Sequence, residues 1–311
     1  MEYSVFDGLL SALAVMLLGS SFAIPALAVL SELTGMIRQK VFMDKFAMQA
    51  ARLGLVFGYS VLGCVAGAWA VSFLYFEDSR AWITYDHFWE FSLYLSLLAA
   101  GLLSFYYFSW NRLRRFKAVH LSSGILGAVC VKLFLSLLFW AVYRELMTIP
   151  GLIPEPDSVF LPILTQVFII SLSGGAALIL AYLLIIRNRD DLGRDYYRFA
   201  LGFGARWAIF FAMISPLSCI WLFLVMGSSL EFTHIAVPGA VYLGALFAFI
   251  LVMFRIARSN QPMRNKAAIM LCPVLVWVIL VFRLVSYLEF SNMVSEEPVV
   301  HTFVRHWPQV F

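Results

Sequence analysis

The sequence is poor in charged residues. Aspartate, glutamate, lysine and arginine together make up 13% of its 311 residues, whereas a soluble domain carries about 25%. Hydrophobic residues make up 62%, and no polar stretch between the hydrophobic runs is long enough for a separate soluble domain. This composition excludes an ordinary soluble globular domain and predicts a polytopic membrane protein.

The sequence also lacks the short motifs that usually accompany metal or phosphate chemistry. It has no CxxC pair, no CxxCH haem-attachment sequence, no HExxH and no phosphate-binding glycine loop. Its cysteines all fall in apolar segments and are interpreted as small buried side chains: Cys64, Cys130, Cys219 and Cys272. No basic leader precedes the first apolar run, so no cleavable signal peptide is predicted.

Eight hydrophobic runs are long enough to cross a membrane, since a helical span needs about 20 apolar residues. In order, they cover residues 8–35, 53–76, 88–110, 119–143, 159–186, 205–228, 234–255 and 266–289. We therefore expect an all-α integral membrane protein with eight transmembrane helices joined by short loops.

The lysines and arginines are segregated to one side of these spans. Most lie beside the loops that follow the first, third, fifth and seventh spans, and the other side holds only Arg80, Arg144 and Arg305. Because cytoplasmic loops are enriched in these residues, we predict that both termini are extracytoplasmic. Most carboxylates then lie outside, and this acidic face favours a basic soluble partner. The cations belong to short loops beside membrane spans, so they do not indicate nucleic-acid binding.

The two halves of the chain have similar patterns. Phe46-Ala47 followed by Ala51-Arg52 has a counterpart in Phe199-Ala200 followed by Ala205-Arg206. Four spans per unit is an even number, so two copies would share one orientation in the membrane. We predict two parallel-repeat four-helix bundles side by side, formed by residues 1–150 and 151–311.

One family resemblance follows from these patterns. The segment Phe108-Ser109-Trp110-Asn111-Arg112-Leu113 resembles the end of the third helix in subunit I of cytochrome bd quinol oxidases. Phe22-Ala23-Ile24-Pro25 and Ser173-Gly174-Gly175 are similar to segments of that family's first and fifth helices. The resemblance covers roughly residues 6 to 215, and it implies a membrane subunit of a quinone-linked complex.

The chain departs from that family where its haem ligands lie. The resemblance places a haem-ligating histidine of the first helix at Ser20 and one of the fifth helix at Ile170. Two glutamates of the third helix fall on Ala99 and Phe91, and the long outer loop that binds quinol in the family is missing. We therefore expect no haem of the family's kind and no oxygen reduction by this chain.

Two cations inside the predicted spans are candidate site residues, because a charge in a membrane usually has a partner or a task. Lys132 lies near the middle of the fourth span, and Arg283 lies in the outer third of the eighth. Each is a candidate to hold a quinone carbonyl, a haem propionate or a partner's carboxylate. The alternative is an ion pair within the bundle, for example of Arg283 with Glu90 or Glu289.

The histidines give a second set of candidates. His87 and His234 open the third and seventh spans at the predicted outer surface, close to Glu90 in the sequence and to Arg283 in depth. We interpret these residues as a quinone-binding set; a b-type haem between the two histidines is a less favoured alternative. His120, at the cytoplasmic start of the fourth span, is expected to have a structural role.

Two charged or aromatic segments outside the spans receive simpler interpretations. Asp190, Asp191 and Asp195 lie among arginines and are interpreted as a solvated, charge-balanced turn without a metal. The tail 301–311 combines aromatic and cationic residues. It is interpreted as an interfacial anchor, with docking of a partner subunit as the alternative.

The sequence thus predicts a subunit of a quinone-linked electron-transfer complex in a prokaryotic inner membrane. It would pass electrons between membrane quinol and an extracytoplasmic redox partner, such as a multihaem cytochrome c or an iron–sulfur protein, because side chains alone do not carry the electrons. A cofactor-free structural anchor for other redox subunits is the second hypothesis. A secondary transporter, suggested by the repeat and Lys132, is the third.

Overall fold

The computed structural model describes residues 5–75, 88–110, 112–113, 116–147, 158–190, 192–226 and 232–294. Within these ranges the chain forms eight long helices, a short 3-10 helix at Pro262–Asn265 and no strand. The long helices are α1 Val5–Arg38, α2 Val41–Tyr75, α3 Phe88–Phe108, α4 Lys117–Met147, α5 Phe160–Ile186, α6 Arg194–Met226, α7 Phe232–Arg258 and α8 Lys266–Val294.

All eight helices are long and apolar enough to cross a membrane, and each coincides with a span predicted from hydropathy. The all-helical, multi-pass class is therefore confirmed. Many large apolar side chains point outward, as expected for lipid contact; examples are Tyr94 on α3, Leu224 on α6 and Phe247 on α7.

Two helices begin earlier than hydropathy predicts. α2 begins at Val41 instead of residue 53, and α6 begins at Arg194 instead of residue 205. Charged residues lower the hydropathy of both segments, although the helix continues through them. Their aromatic faces pack against each other, with Phe46 and Phe203 edge to face at a ring distance of 5.2 Å.

The helices pack as two groups of four consecutive members. In the first group each helix contacts the next and α4 returns to α1; in the second, α5 to α8 follow the same order. α1 also packs along α5 and α8 and so joins the groups. The domain boundary near residue 150 and the parallel-repeat relation of the two halves remain predictions.

α1 and α5 cross in close contact at two glycines. A Cβ atom on Gly19 would lie 2.0 Å from Ser171 Oγ, and one on Gly175 would lie 2.8 Å from the Cβ of Ala23. Any side chain at either position would therefore force these helices apart. This crossing lies in the interior of the molecule, between the two helix groups.

The cation-rich connections between α1 and α2, α3 and α4, α5 and α6, and α7 and α8 lie at one end of the molecule. Arg52 of α2 pairs with Asp190 after α5 at 2.9 Å, and Arg198 of α6 donates to Asn260 after α7 at 3.1 Å. Lys117 of α4 approaches Asp44 of α2 at 4.0 Å. We call this the basic end; its cytoplasmic placement is a prediction from charge.

Candidate functional site

A buried polar cluster lies inside the second helix group, in the half of the helices away from the basic end. Each of the four helices contributes to it: Gln166 from α5, Ser215 and Cys219 from α6, Tyr242 from α7 and Arg283 from α8. Arg283 is 8% exposed and Gln166 is fully buried. We call these five residues the arginine cluster.

Hydrogen bonds connect the members of the arginine cluster. Arg283 Nη2 donates to Gln166 Oε1. The amide nitrogen of Gln166 lies 3.1 Å from Cys219 Sγ and 3.3 Å from the hydroxyl oxygen of Tyr242, to which it donates. Ser215 Oγ lies 2.9 Å from the same hydroxyl. The guanidinium also lies over the Tyr242 ring, 5.3 Å from its centre.

Among the described residues, an amide oxygen and an aromatic face contact this permanent cation in an apolar interior. Both interactions favour the charged form, since a carbonyl oxygen accepts and a ring face attracts cations. Guanidinium, hydroxyl and amide groups at one place can donate hydrogen bonds to oxygen atoms and accept them from hydroxyl groups. The packing of the cluster among four helices fixes these groups in position.

The other predicted outer-side residues are only partly within the described structure. Glu90 lies in the first turn of α3 and is exposed. His234 lies in the first turn of α7, where only the backbone is described, and His87 lies outside the described residues. α3 packs against α2 and α4, whereas α8 packs against α7, α5 and α1. Glu90 and Arg283 therefore belong to different helix groups, and the joint quinone-binding set remains a prediction.

Lys132 lies at the midpoint of α4 on an outward face. Its neighbours on that face are the exposed side chains of Ile125, Val129, Leu133 and Leu137. The ammonium lies 5.6 Å from the centre of the Phe168 ring of α5. A charge at this depth is costly, and the side chain is too short to reach either interface from the middle of a span.

A second buried polar cluster joins α1, α3 and α4 near the basic end. The Glu32 carboxylate accepts from the Tyr106 hydroxyl at 2.8 Å and lies 3.4 Å from His120 Nε2. Ser109 Oγ lies 2.8 Å from the other ring nitrogen, His120 Nδ1. Tyr106 stacks on the imidazole, and Trp110 meets its edge. We call these five residues the glutamate cluster.

Most residues of both clusters were not predicted as site residues, although the sequence contains signals for two of them. Glu32 is the single charged residue within the first predicted span, and Gln166 is the single amide within the fifth. A polar side chain at such a position indicates a buried hydrogen-bond partner. Only the structure identifies those partners, because they are distant in the sequence. Tyr106 lies 74 residues from Glu32, and Arg283 lies 117 residues from Gln166. His120, expected to be structural, lies in the glutamate cluster.

The two positions where the resemblance implies haem ligands do not fit a haem. Ser20 is fully buried and donates to the backbone oxygen of Met16 at 2.6 Å, and Ile170 is a buried hydrocarbon side chain without a donor atom. Each neighbours the close crossing of α1 and α5 at Gly19 and Ser171. Neither position supplies a ligand nitrogen, and the helices contact each other directly, so these two positions do not suit a haem.

Ala99, at the position of a family glutamate, is buried in the apolar core of the first helix group, and Phe91 is exposed on α3. Among the described residues, no three His, Cys, Asp or Glu side chains come together as metal ligands do.

No protein-family model and no curated protein sequence matches this chain. Among solved structures, the chain is similar to a chain of the bd oxidase from Geobacillus thermodenitrificans, with a TM-score of 0.62 and 11% sequence identity. The similarity covers 99% of this chain and 96% of that one. The two chains therefore share a fold over nearly their whole lengths, while almost all side chains differ.

Proposed function

We propose that this chain is a membrane subunit of a quinone-linked electron-transfer complex in a prokaryotic inner membrane. It binds a quinol and positions it for oxidation by a redox partner on the extracytoplasmic side. The fold shared with a bd oxidase chain supports this class of function, and the side chains of this chain supply the more specific argument.

The observation that carries the proposal is the arginine cluster. A buried guanidinium held by Gln166 and Tyr242 inside a membrane span indicates a functional site. A quinone presents carbonyl oxygens that accept hydrogen bonds, and a quinol presents hydroxyl groups that donate them. Arg283 can donate a hydrogen bond to a quinone carbonyl, and the Tyr242 hydroxyl oxygen can accept one from a quinol hydroxyl. His87, Glu90 and His234 belong to the proposal as further groups on the predicted outer side.

Oxidation of the quinol needs a partner that accepts electrons. The quinol gives up two electrons and two protons when it becomes a quinone. Because side chains do not take up the electrons, a haem or an iron–sulfur centre of the partner receives them. In this scheme the chain binds and orients the ring, and its polar groups lead the protons away.

Lys132 supports the view that the chain works inside an assembly. A lysine at the middle of a span costs about 2.5–3.5 kcal/mol to insert on translocon scales. An adjacent transmembrane helix with an aspartate or glutamate at the same depth would offset this cost. The exposed apolar face of α4 around Lys132 is therefore the proposed contact with a second membrane subunit.

The alternative function is a structural anchor that binds other redox subunits without a ligand of its own. The chemistry of Ser20 and Ile170 favours this alternative, since neither side chain suits a haem. Quinone binding by the chain distinguishes the two functions.

The test uses the intact complex with Arg283→Met, which removes the charge, and Arg283→Lys, which keeps it without the planar fork. We expect quinol-dependent reduction of the partner to fall about ten- to hundredfold in the first variant, as for loss of a charged hydrogen bond. The second variant should lie between this and the wild type. Exposed Arg206 of α6 offers the matched control, Arg206→Met.

Folding of each variant is followed by its thermal unfolding midpoint and by recovery of the assembled complex. Quinol turnover that stays at the wild-type level in a well-folded Arg283→Met complex would contradict the proposal. Substitution of both His87 and His234 by alanine extends the test to the predicted outer surface.

A further inference from the structure

A cavity of about 320 Å³ lies at the basic end, at the opposite end of the helices from the arginine cluster. It is formed by α2, the end of α3 and the connection between α5 and α6. The residues that line it are Met48, Gln49, Arg52, Tyr107, Asp190 and Leu192. A volume near the lower limit of ligand pockets admits one ring with its substituents and is too small for a nucleotide.

Gln49 gives this cavity a specific chemical demand. The residue is 4% exposed, and its amide nitrogen donates to Asp190 Oδ2 at 3.3 Å. Because a carboxylate only accepts, this bond fixes which end of the amide is oxygen. Gln49 Oε1 has no hydrogen-bond partner among the residues that the structure describes. A buried carbonyl in this state needs a donor from a ligand or from water.

The other polar groups define the remaining features of a ligand. Arg52 Nη1 pairs with Asp190 Oδ2 at 2.9 Å, which engages one of the five N–H donors of the guanidinium. Arg52 and Asp190 are about one-third and one-quarter exposed, so both border the open side of the cavity. Tyr107, Met48 and Leu192 add aromatic and apolar surface. The site therefore suits a flat apolar ring with a hydroxyl donor and a further oxygen acceptor.

We propose that this cavity binds the head group of a hydroquinone, as a second quinone site of the same chain. One ring hydroxyl donates to Gln49 Oε1, a second ring oxygen accepts from Arg52, and the ring lies against Tyr107, Met48 and Leu192. The isoprenoid tail extends into the lipid beside α2 and α3. This proposal concerns binding only, and it rests on the quinone-linked function proposed above.

A phospholipid phosphate fits the same groups less well. A phosphodiester carries no hydrogen to donate to Gln49, and its charge would approach the Asp190 carboxylate. An ethanolamine head group could donate through its ammonium, and the experiment must separate that source from a hydroquinone.

The experiment measures binding of a radiolabelled short-chain hydroquinone to the purified full-length protein in detergent. We expect two classes of binding site in the wild type, and in Gln49→Met we expect the cavity class to bind about tenfold more weakly, as for one lost hydrogen bond. Gln261→Met, at an exposed glutamine after α7, is the matched control and should bind like the wild type.

The dimethyl ether of the same probe keeps the ring and lacks the hydroxyl donors. It should bind the wild-type cavity as weakly as the hydroquinone binds Gln49→Met, and the substitution should not weaken it further. This comparison keeps the proposal testable if Gln49→Met folds poorly. Equal affinity of the wild type for the ether and the hydroquinone would overturn the proposal.

Three further outcomes assign a failure to its cause. Loss of all binding in Arg283→Met, with unchanged binding in Gln49→Met, would support the proposed function and overturn the second site. No hydroquinone binding in either class would overturn the proposed function itself. Phosphatidylethanolamine vesicles could displace the probe from the cavity where phosphatidylcholine vesicles do not. That outcome would assign the cavity to an ammonium head group and overturn the second quinone site.

Discussion

Glu32 places a carboxylate in the interior near the basic end, where it is 2% exposed. A buried carboxylate is stable only when hydrogen bonds or charges replace its lost hydration. The Tyr106 hydroxyl supplies one such bond, and His120 lies 3.4 Å from the same oxygen. The cluster therefore links α1 to α3 and α4 by directional contacts. Apolar packing alone would not fix the relative positions of these helices so specifically.

This arrangement predicts that Tyr106→Phe destabilises the protein. The substitution keeps the ring stacked on His120 and removes only the donor to Glu32, so we expect a cost of about 1–3 kcal/mol. The measurement is the unfolding midpoint of the purified protein in detergent. Tyr94→Phe, at an exposed tyrosine of α3, is the control. A Tyr106→Phe protein as stable as that control would show that the bond to Glu32 contributes nothing.

Charged residues within the spans are easier to identify from the sequence than the side chains that they contact. Arg283 and Lys132 were predicted because a cation in a span is unusual on composition alone. The contacts of Arg283 with Gln166 and Tyr242 were not predicted, since they join side chains of three different helices, and Gln166 lies 117 residues away in the sequence. Asp190 was interpreted as part of a solvated turn. Its pair with Arg52 of α2 agrees with the charge balance of that interpretation, whereas its side chain is only about one-quarter exposed and so is less solvated than expected.

Among the elements, α4 has an unusual combination of an apolar exposed face and a central lysine. Removal of the charge should have opposite effects on the isolated chain and on the assembly. Lys132→Met lowers the cost of placing α4 in lipid, so the isolated chain should insert at least as well as the wild type. The same change removes the proposed bond to a partner's carboxylate, so less of the partner membrane subunit should co-purify.

Lys132→Arg retains the charge and is the matched control for this prediction. The measurement is the amount of partner subunit recovered per chain from solubilised membranes. Recovery with Lys132→Met equal to that with Lys132→Arg would contradict a docking face on α4.

Helix existence followed from the sequence more reliably than helix ends. The starts of α2 and α6 were predicted too late because hydropathy treats Lys45 and Arg198 as loop signals. In the structure these segments extend from the predicted membrane surface as helices and pack through Phe46 and Phe203. Periodic apolar positions indicate a helix even where charges lower the average, because charges on the outer face do not interrupt the backbone hydrogen bonds.

At the scale of the whole molecule, the chain keeps a fold in common with a bd oxidase chain at 11% identity. Membrane thickness, helix length and close crossings such as Gly19 with Ser171 constrain the fold strongly and the individual side chains weakly. The all-helical, multi-pass class could therefore be predicted from hydropathy. The two polar clusters and the cavity at the basic end could not, because each joins residues from different helices.

The proposed function requires that this chain binds quinone without a haem of its own. The most direct measurement is organic extraction of the chain purified apart from its partners, with chromatography for quinone and an absorbance spectrum of the same sample. We predict retained quinone that is depleted in Arg283→Met, and a spectrum without a haem Soret band. A haem bound in stoichiometric amount, or a chain that retains no quinone and binds none when it is added back, would contradict it.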